Sequence, residues 1–173
     1  MTSRNLKPKL ELGLNVLVAA SILIIAVVVV KRTFFPPQSN QLNSQQQVQQ
    51  LLGTRVAVPG TPLNKKTLIF FLKKDCVFCQ SIAPSYRELI SEARKRDIDL
   101  IAILPNPLDD GRAYVRSLGL EIENVQSGSL ASYKIPGTPS VLFVDGEAIV
   151  RSAWFGAEPT REREMREKLV ALF

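Results

Sequence analysis

The sequence predicts an α/β domain with a mixed central sheet between helical layers, preceded by one transmembrane helix. Three observations lead there. Short apolar runs, "TLIFFL" at 67–72 and "DLIAIL" at 99–104, alternate with stretches of helical periodicity, a pattern that gives parallel strands joined by helices. Towards the C-terminus "PSVLFVDGEAIVRSAW" reads as a hairpin, because Asp145-Gly146 is a tight-turn signal between two strand-like runs. Near the N-terminus, residues 12–30, "LGLNVLVAASILIIAVVVV", are apolar except for Asn15 and Ser21.

In chain order, residues 1–11 form a short tail and 12–30 the anchor. At 1.5 Å per residue the anchor spans roughly 28 Å, about one hydrocarbon core. A cleaved signal peptide would have a shorter apolar region and a small-x-small site after it. Here "VVVVKRTFFPP" follows, with Lys31 and Arg32 against the apolar edge, so an uncleaved anchor is expected. Arg4, Lys7 and Lys9 before it outnumber Lys31 and Arg32 after it. That bias leaves the tail in the cytoplasm and the rest of the chain on the extracytoplasmic (periplasmic) side of the inner or plasma membrane. Residues 31–52 read as a tether: Pro36 and Pro37 close the helix. Seven glutamines among residues 38–50 offer too little apolar surface to fold alone, with some helix near Val48, Leu51 and Leu52.

Residues 53–173 form the folded domain. "TRVAV" (54–58) reads as a short strand and "TLIFFL" as a strand buried on both faces. Ile82, Tyr86, Leu89, Ile90 and Ala93 recur at helical spacing, giving a helix to about Arg96. After the strand "DLIAIL", "PNPLDD" turns into a short helix with Ala113, Tyr114, Val115 and Leu118. "EIENV" reads as a strand and "LASYKI" as a helical turn. The final "PTREREMREKLVALF" is an amphipathic helix with Met165, Leu169 and Leu172 on one face.

Charge narrows the function. Of the formal net charge of +6, residues 1–33 contribute five basic side chains against the single acid Glu11. The rest of the chain is nearly balanced, so no nucleic-acid partner is expected. The absence of histidine removes His-based acid–base catalysis and most zinc sites. Two cysteines cannot complete a four-ligand zinc shell within one chain, so no metal is expected in it.

Those cysteines, Cys76 and Cys79, follow the buried strand directly and open a helix. At a helix N-terminus the unpaired N–H groups and the dipole stabilise a thiolate, which makes Cys76 the nucleophile. Cys79, one turn on and deeper, is placed to resolve a mixed disulfide. Lys73 and Lys74 favour the thiolate and Asp75 disfavours it. Half a zinc site shared across a dimer, or two buried apolar cysteines, are the other readings of such a pair.

Several motifs together resemble the thioredoxin fold and, in layout, the membrane-anchored thiol–disulfide oxidoreductases of the TlpA/ResA kind. "CVFCQSIAP" resembles that family's CxxC, followed by a helix turn and a proline, here Pro84. "YKIPGTPSVLFVDGE" resembles its cis-proline loop and the strand after it, and "FGAEP" its glycine at the end of the last strand, Gly156. The longer spacing from Cys79 to Pro139 resembles an inserted α/β unit, here "DDGRAYVRSLGLEIENV". The resemblance implies a thioredoxin-like three-layer fold and a cis-proline at Pro139. It also implies that Thr138 presents a substrate segment by strand addition.

The chain departs from that family at Asp75, where an aromatic residue is common. It departs again at Phe70, where thioredoxin has a buried acid, and at Val77 and Phe78 between the cysteines. The function implied is reduction of protein disulfides outside the cytoplasm, in cytochrome c maturation. No cofactor is needed beyond the redox-active Cys76–Cys79 disulfide. The implied partners are a protein thiol or disulfide substrate, a membrane electron donor or acceptor, and the bilayer through 12–30. The alternative is a binding, assembly or redox-sensing module that does not turn over.

Overall fold

The run Thr67–Phe71 (β1) has no turn-forming residue, and all five of its side chains are buried, so it makes the centre of a sheet. The computed structural model describes Ser21, Leu23 and residues 46–158 and 161–173. The anchor expected over 12–30, apart from Ser21 and Leu23, and the tether as far as residue 45 lie outside the described residues. Among the described residues, no helix is long and apolar enough to cross a membrane.

After β1 come helix α1 (Val77–Arg94), β2 (Asp99–Leu104), α2 (Leu108–Ser117) and β3 (Asn124–Ser127). A 3-10 helix (Leu130–Tyr133), β4 (Ser140–Val144), β5 (Val150–Phe155) and α3 (Glu162–Val170) complete the order. The strands lie in the order β3-β2-β1-β4-β5. β1 and β3 run parallel to β2, and β4 is antiparallel to β1 and β5.

Because strand side chains alternate, the sheet divides its apolar residues between two cores. On one face Leu68, Phe70, Ala102, Leu104, Val141 and Phe143 meet the buried sides of all three α-helices. On the other, Ile69, Phe71, Ile101, Ile103, Leu142 and Val144 meet Leu51, Val56, Val58 and Ile135. The layer over that second face is thinner: a helical turn over 46–51, the coil after it and the 3-10 helix. Leu51 is buried, so the end of the glutamine-rich stretch packs as part of the domain. Full burial of one phenylalanine such as Phe70 stabilises by roughly 1.5–3 kcal/mol. Trp154 on β5 is covered by the Arg161 guanidinium, 4.5 Å from the ring centroid, which ties the start of α3 to the sheet.

Several element readings shift. "TRVAV" is not a strand: it makes only isolated bridges, Arg55 with Ile149 and Val58 with Thr61, before Pro59 and Gly60 turn the chain. The helix expected to run to about Arg96 ends at Arg94, and Asp97 takes a left-handed φ of 53°. The strand expected at "EIENV" is shifted towards the C-terminus, to Asn124–Ser127. Asp145-Gly146 does not turn the hairpin alone. Asp145 N–H donates to the Ile149 carbonyl, and Ala148 takes the left-handed conformation. Gly146 answers a different demand, since a Cβ there would sit 3.2 Å from the Asn64 carbonyl oxygen. Ala113 faces solvent, and Leu172 lies past the end of α3, 37% exposed.

One edge of the sheet gathers the chemistry. Phe71, the last residue of β1, pairs with Ile103 of β2 and with Ser140, the first residue of β4. The segments leaving β1 and β2 and the segment entering β4 therefore emerge side by side.

Candidate active site

Cys76 and Cys79 form a disulfide, with their Cα atoms 5.2 Å apart. Cys76 is the N-cap of α1, with extended backbone, and the Cys79 N–H donates to its Sγ at 3.2 Å. No acidic residue occupies the first turn of α1, so the positive end of that helix is uncompensated where the sulfur sits. Cys76 is half-buried and Cys79 fully buried. An incoming group thus reaches the first sulfur and not the second. Val77 and Phe78 between them are 71% and 63% exposed and surround the disulfide with apolar surface.

The loop entering β4 lies against the same sulfur. Thr138 Oγ1 donates to Cys76 Sγ at 3.5 Å, and the Thr138 carbonyl oxygen is 3.6 Å from it. The Thr138–Pro139 peptide is cis. Pro139 is buried and its carbonyl accepts from Gly156 N–H at 2.8 Å, whereas Thr138 is half-buried. Of the two residues, Thr138 is the one a partner chain would touch. Pro139 supports it from beneath.

A third group of contacts comes from α2 and the loop before it. Lys74 N–H donates to Asn106 Oδ1 at 3.0 Å, the Lys74 ammonium pairs with Asp110 at 3.2 Å, and the Tyr114 hydroxyl donates to the Cys76 carbonyl at 3.3 Å. Asp75, between the two anchored residues, has φ 62°, a conformation that Asp tolerates better than most residues. Burial first, and then the Asp75 charge, push the Tyr114 phenol above its ordinary value.

Cys76, Cys79, Thr138 and Pro139 are thus brought together. Asn106 and Tyr114 are the contributors that sequence reading missed. Tyr114 was visible only as an apolar position of a helix, and Asn106 only as a turn residue between prolines. Neither carries a motif. Phe70, in place of a buried acid, is fully buried with its ring edge-on to Tyr86, centroids 5.0 Å apart. Among the described residues no cluster of three or more metal-ligating side chains occurs.

No protein-family model matches the sequence, and no curated protein matches it. Solved structures do. A Chlorobium tepidum protein assigned as the thiol:disulfide interchange protein DsbE superposes with TM-score 0.57 at 14% identity, covering 69% of this chain and 94% of that one. A thiol:disulfide interchange protein from Bacteroides sp. gives 0.52 at 15%, covering 69% and 82%. The thioredoxin domain of a thiol-disulfide oxidoreductase from Bacteroides vulgatus gives 0.50 at 17%, covering 62% and 80%. These likenesses establish the fold as thioredoxin-like.

Proposed function

We propose that this thioredoxin-fold chain is a thiol–disulfide oxidoreductase, tethered by residues 12–30 and acting on protein thiols and disulfides outside the cytoplasm. The observation that carries the reading is the Cys76–Cys79 disulfide, which caps α1 with its outer sulfur held against Thr138. In the reduced state the Cys76 thiolate attacks one sulfur of a substrate disulfide. The other substrate sulfur leaves as a thiolate and takes up a proton. Cys79 then gives up its proton and attacks the Cys76 sulfur, which breaks the mixed disulfide and restores Cys76–Cys79. Two electrons pass from the dithiol to the substrate, and a membrane electron donor must return them.

The solved structures' names support the reaction class. The layout shared with the TlpA/ResA kind supports the reducing direction and a place in cytochrome c maturation. The test is insulin reduction by the full chain in detergent, with a Cys79→Ser variant to trap mixed disulfides. Turnover that Cys76→Ser abolishes, with partners trapped on Cys76, is the expected result. No turnover and no trapped partner would replace this reading with the assembly module, which the untitratable Phe70 favours.

A further inference from the structure

We propose that α2 and the loop leading into it clamp the reactive turn, with Tyr114 and Asn106 as positioning residues that set how readily Cys76 ionises. The inference rests on the oxidoreductase reading and deepens it. Three contacts cross from residues 106–114 to the short stretch Lys74–Cys76: the Asn106 amide oxygen, the Asp110 carboxylate and the Tyr114 hydroxyl. Asn106 and Tyr114 hold the backbone on either side of Asp75, the residue with the left-handed φ, and Asp110 holds the Lys74 side chain.

The Tyr114 hydroxyl is not needed to satisfy its acceptor. The Cys76 carbonyl already receives Cys79 N–H at 3.0 Å and Gln80 N–H at 3.1 Å, the first turn of α1. A third donor adds restraint rather than satisfaction. It comes from a phenol that is almost buried, 8% exposed, and that feels the Asp75 charge. The restraint matters because the Cys79 N–H reaches Cys76 Sγ only while the cap keeps its geometry. Lys74, meanwhile, has its ammonium drawn to Asp110, which leaves Asp75 less opposed beside the sulfur.

The charged or titratable side chains near Cys76 are Lys73, Lys74 and Asp75 on its own turn and, once reduced, the Cys79 thiol on α1; α2 carries Asp109, Asp110, Arg112, Tyr114 and Arg116, of which Asp110 and Tyr114 contact the turn. Residues 136–139 contribute none. Two substitutions should therefore act in opposite directions. Tyr114→Phe frees the cap, weakens the N–H bond to the thiolate and so disfavours ionisation of Cys76. Asp75→Asn keeps a residue that tolerates the left-handed φ and removes the repelling charge. It favours the Cys76 thiolate, since a like charge beside a group disfavours its charged form. It also favours the reduced form, because only that form carries the thiolate.

The measurement is the pH dependence of iodoacetamide alkylation of Cys76 in the reduced full chain in detergent, where Cys79 is buried. Tyr114→Phe and Asn106→Ala should both move the curve to higher pH, and Asp75→Asn to lower pH. A general loosening of the fold would move all three the same way. Unmoved curves for Tyr114→Phe and Asn106→Ala, or a common direction for all three, would overturn the clamp. Should Tyr114→Phe fail to fold, Asn106→Ala carries the same expectation. The insulin assay on the unsubstituted chain judges the oxidoreductase reading separately, since alkylation needs no turnover.

Discussion

Tyr86 on α1 has its hydroxyl fully buried and, among the described residues, without a hydrogen-bond partner. Burial, and then the Glu162 charge nearby, push its phenol well above the ordinary tyrosine value. A buried polar group left unpaired costs roughly 1–3 kcal/mol, while the ring still packs edge-on against Phe70. Tyr86→Phe should therefore raise stability by about 1 kcal/mol, read as a higher urea midpoint at unchanged slope; a fall in that midpoint would mean that the hydroxyl is paired after all. The two cysteines were legible as a site at this scale because the strand before them and the helix after them are both strongly patterned. Tyr114 and Asn106 were not, because a hydroxyl or amide that reaches across from another element leaves no periodic trace. Asp75 was read for its charge and as a departure from the family's aromatic residue, although its position also demands a residue that tolerates φ 62°.

The elements follow the apolar pattern where burial is deep and depart from it at their ends. β1, β2 and β4 are close to their expected ranges since nearly every side chain in them is enclosed. β3 is one of the two edge strands of the sheet, and it is the strand whose bounds slid, being short and paired on one side only. Gly111 sits within α2, and a Cβ there would find its nearest neighbour, Leu104 Cδ1, at 3.5 Å, an ordinary contact. Gly111→Ala should stabilise by about 0.5–1 kcal/mol through helix propensity, with thermal unfolding as the check. The β4–β5 connection supplies a pH signature. Asp145 Oδ1 accepts the N–H groups of Glu147 and Ile149, and Oδ2 meets Arg151 at 2.6 Å. These bonds, that of Ile149 first, hold its carboxyl below the usual value. A depressed folded pKa gives stability that is complete above the unfolded value, about 3.9, and lost as the pH falls through the folded one. The stability gap between the parent chain and Asp145→Asn should thus be widest at neutral pH and close below about pH 4. A gap that stayed constant would show that the charge of Asp145 contributes nothing.

At the scale of the molecule, the alternation of apolar runs with helices predicted a mixed sheet, and the late hairpin predicted its antiparallel side. What the alternation could not convey is that the three α-helices share one core while the other face is closed by a helical turn and coil. Irregular segments cover a sheet through a few contacts, such as those of Leu51, Val56 and Val58, too sparse to show a period. The site exists because three chain segments, 72–76 and 104–107 leaving the sheet and 137–140 entering it, meet at the same end of the sheet. That convergence sets an order in time. The cysteines precede the residues that hold their turn from outside it, Asn106, Asp110, Tyr114 and Thr138, so they emerge from the ribosome first. Until residue 144 has followed them and β4 has paired with β1, Cys76 lacks its Thr138 neighbour. The contacts that hold the turn are thus the last part of the site to be synthesised.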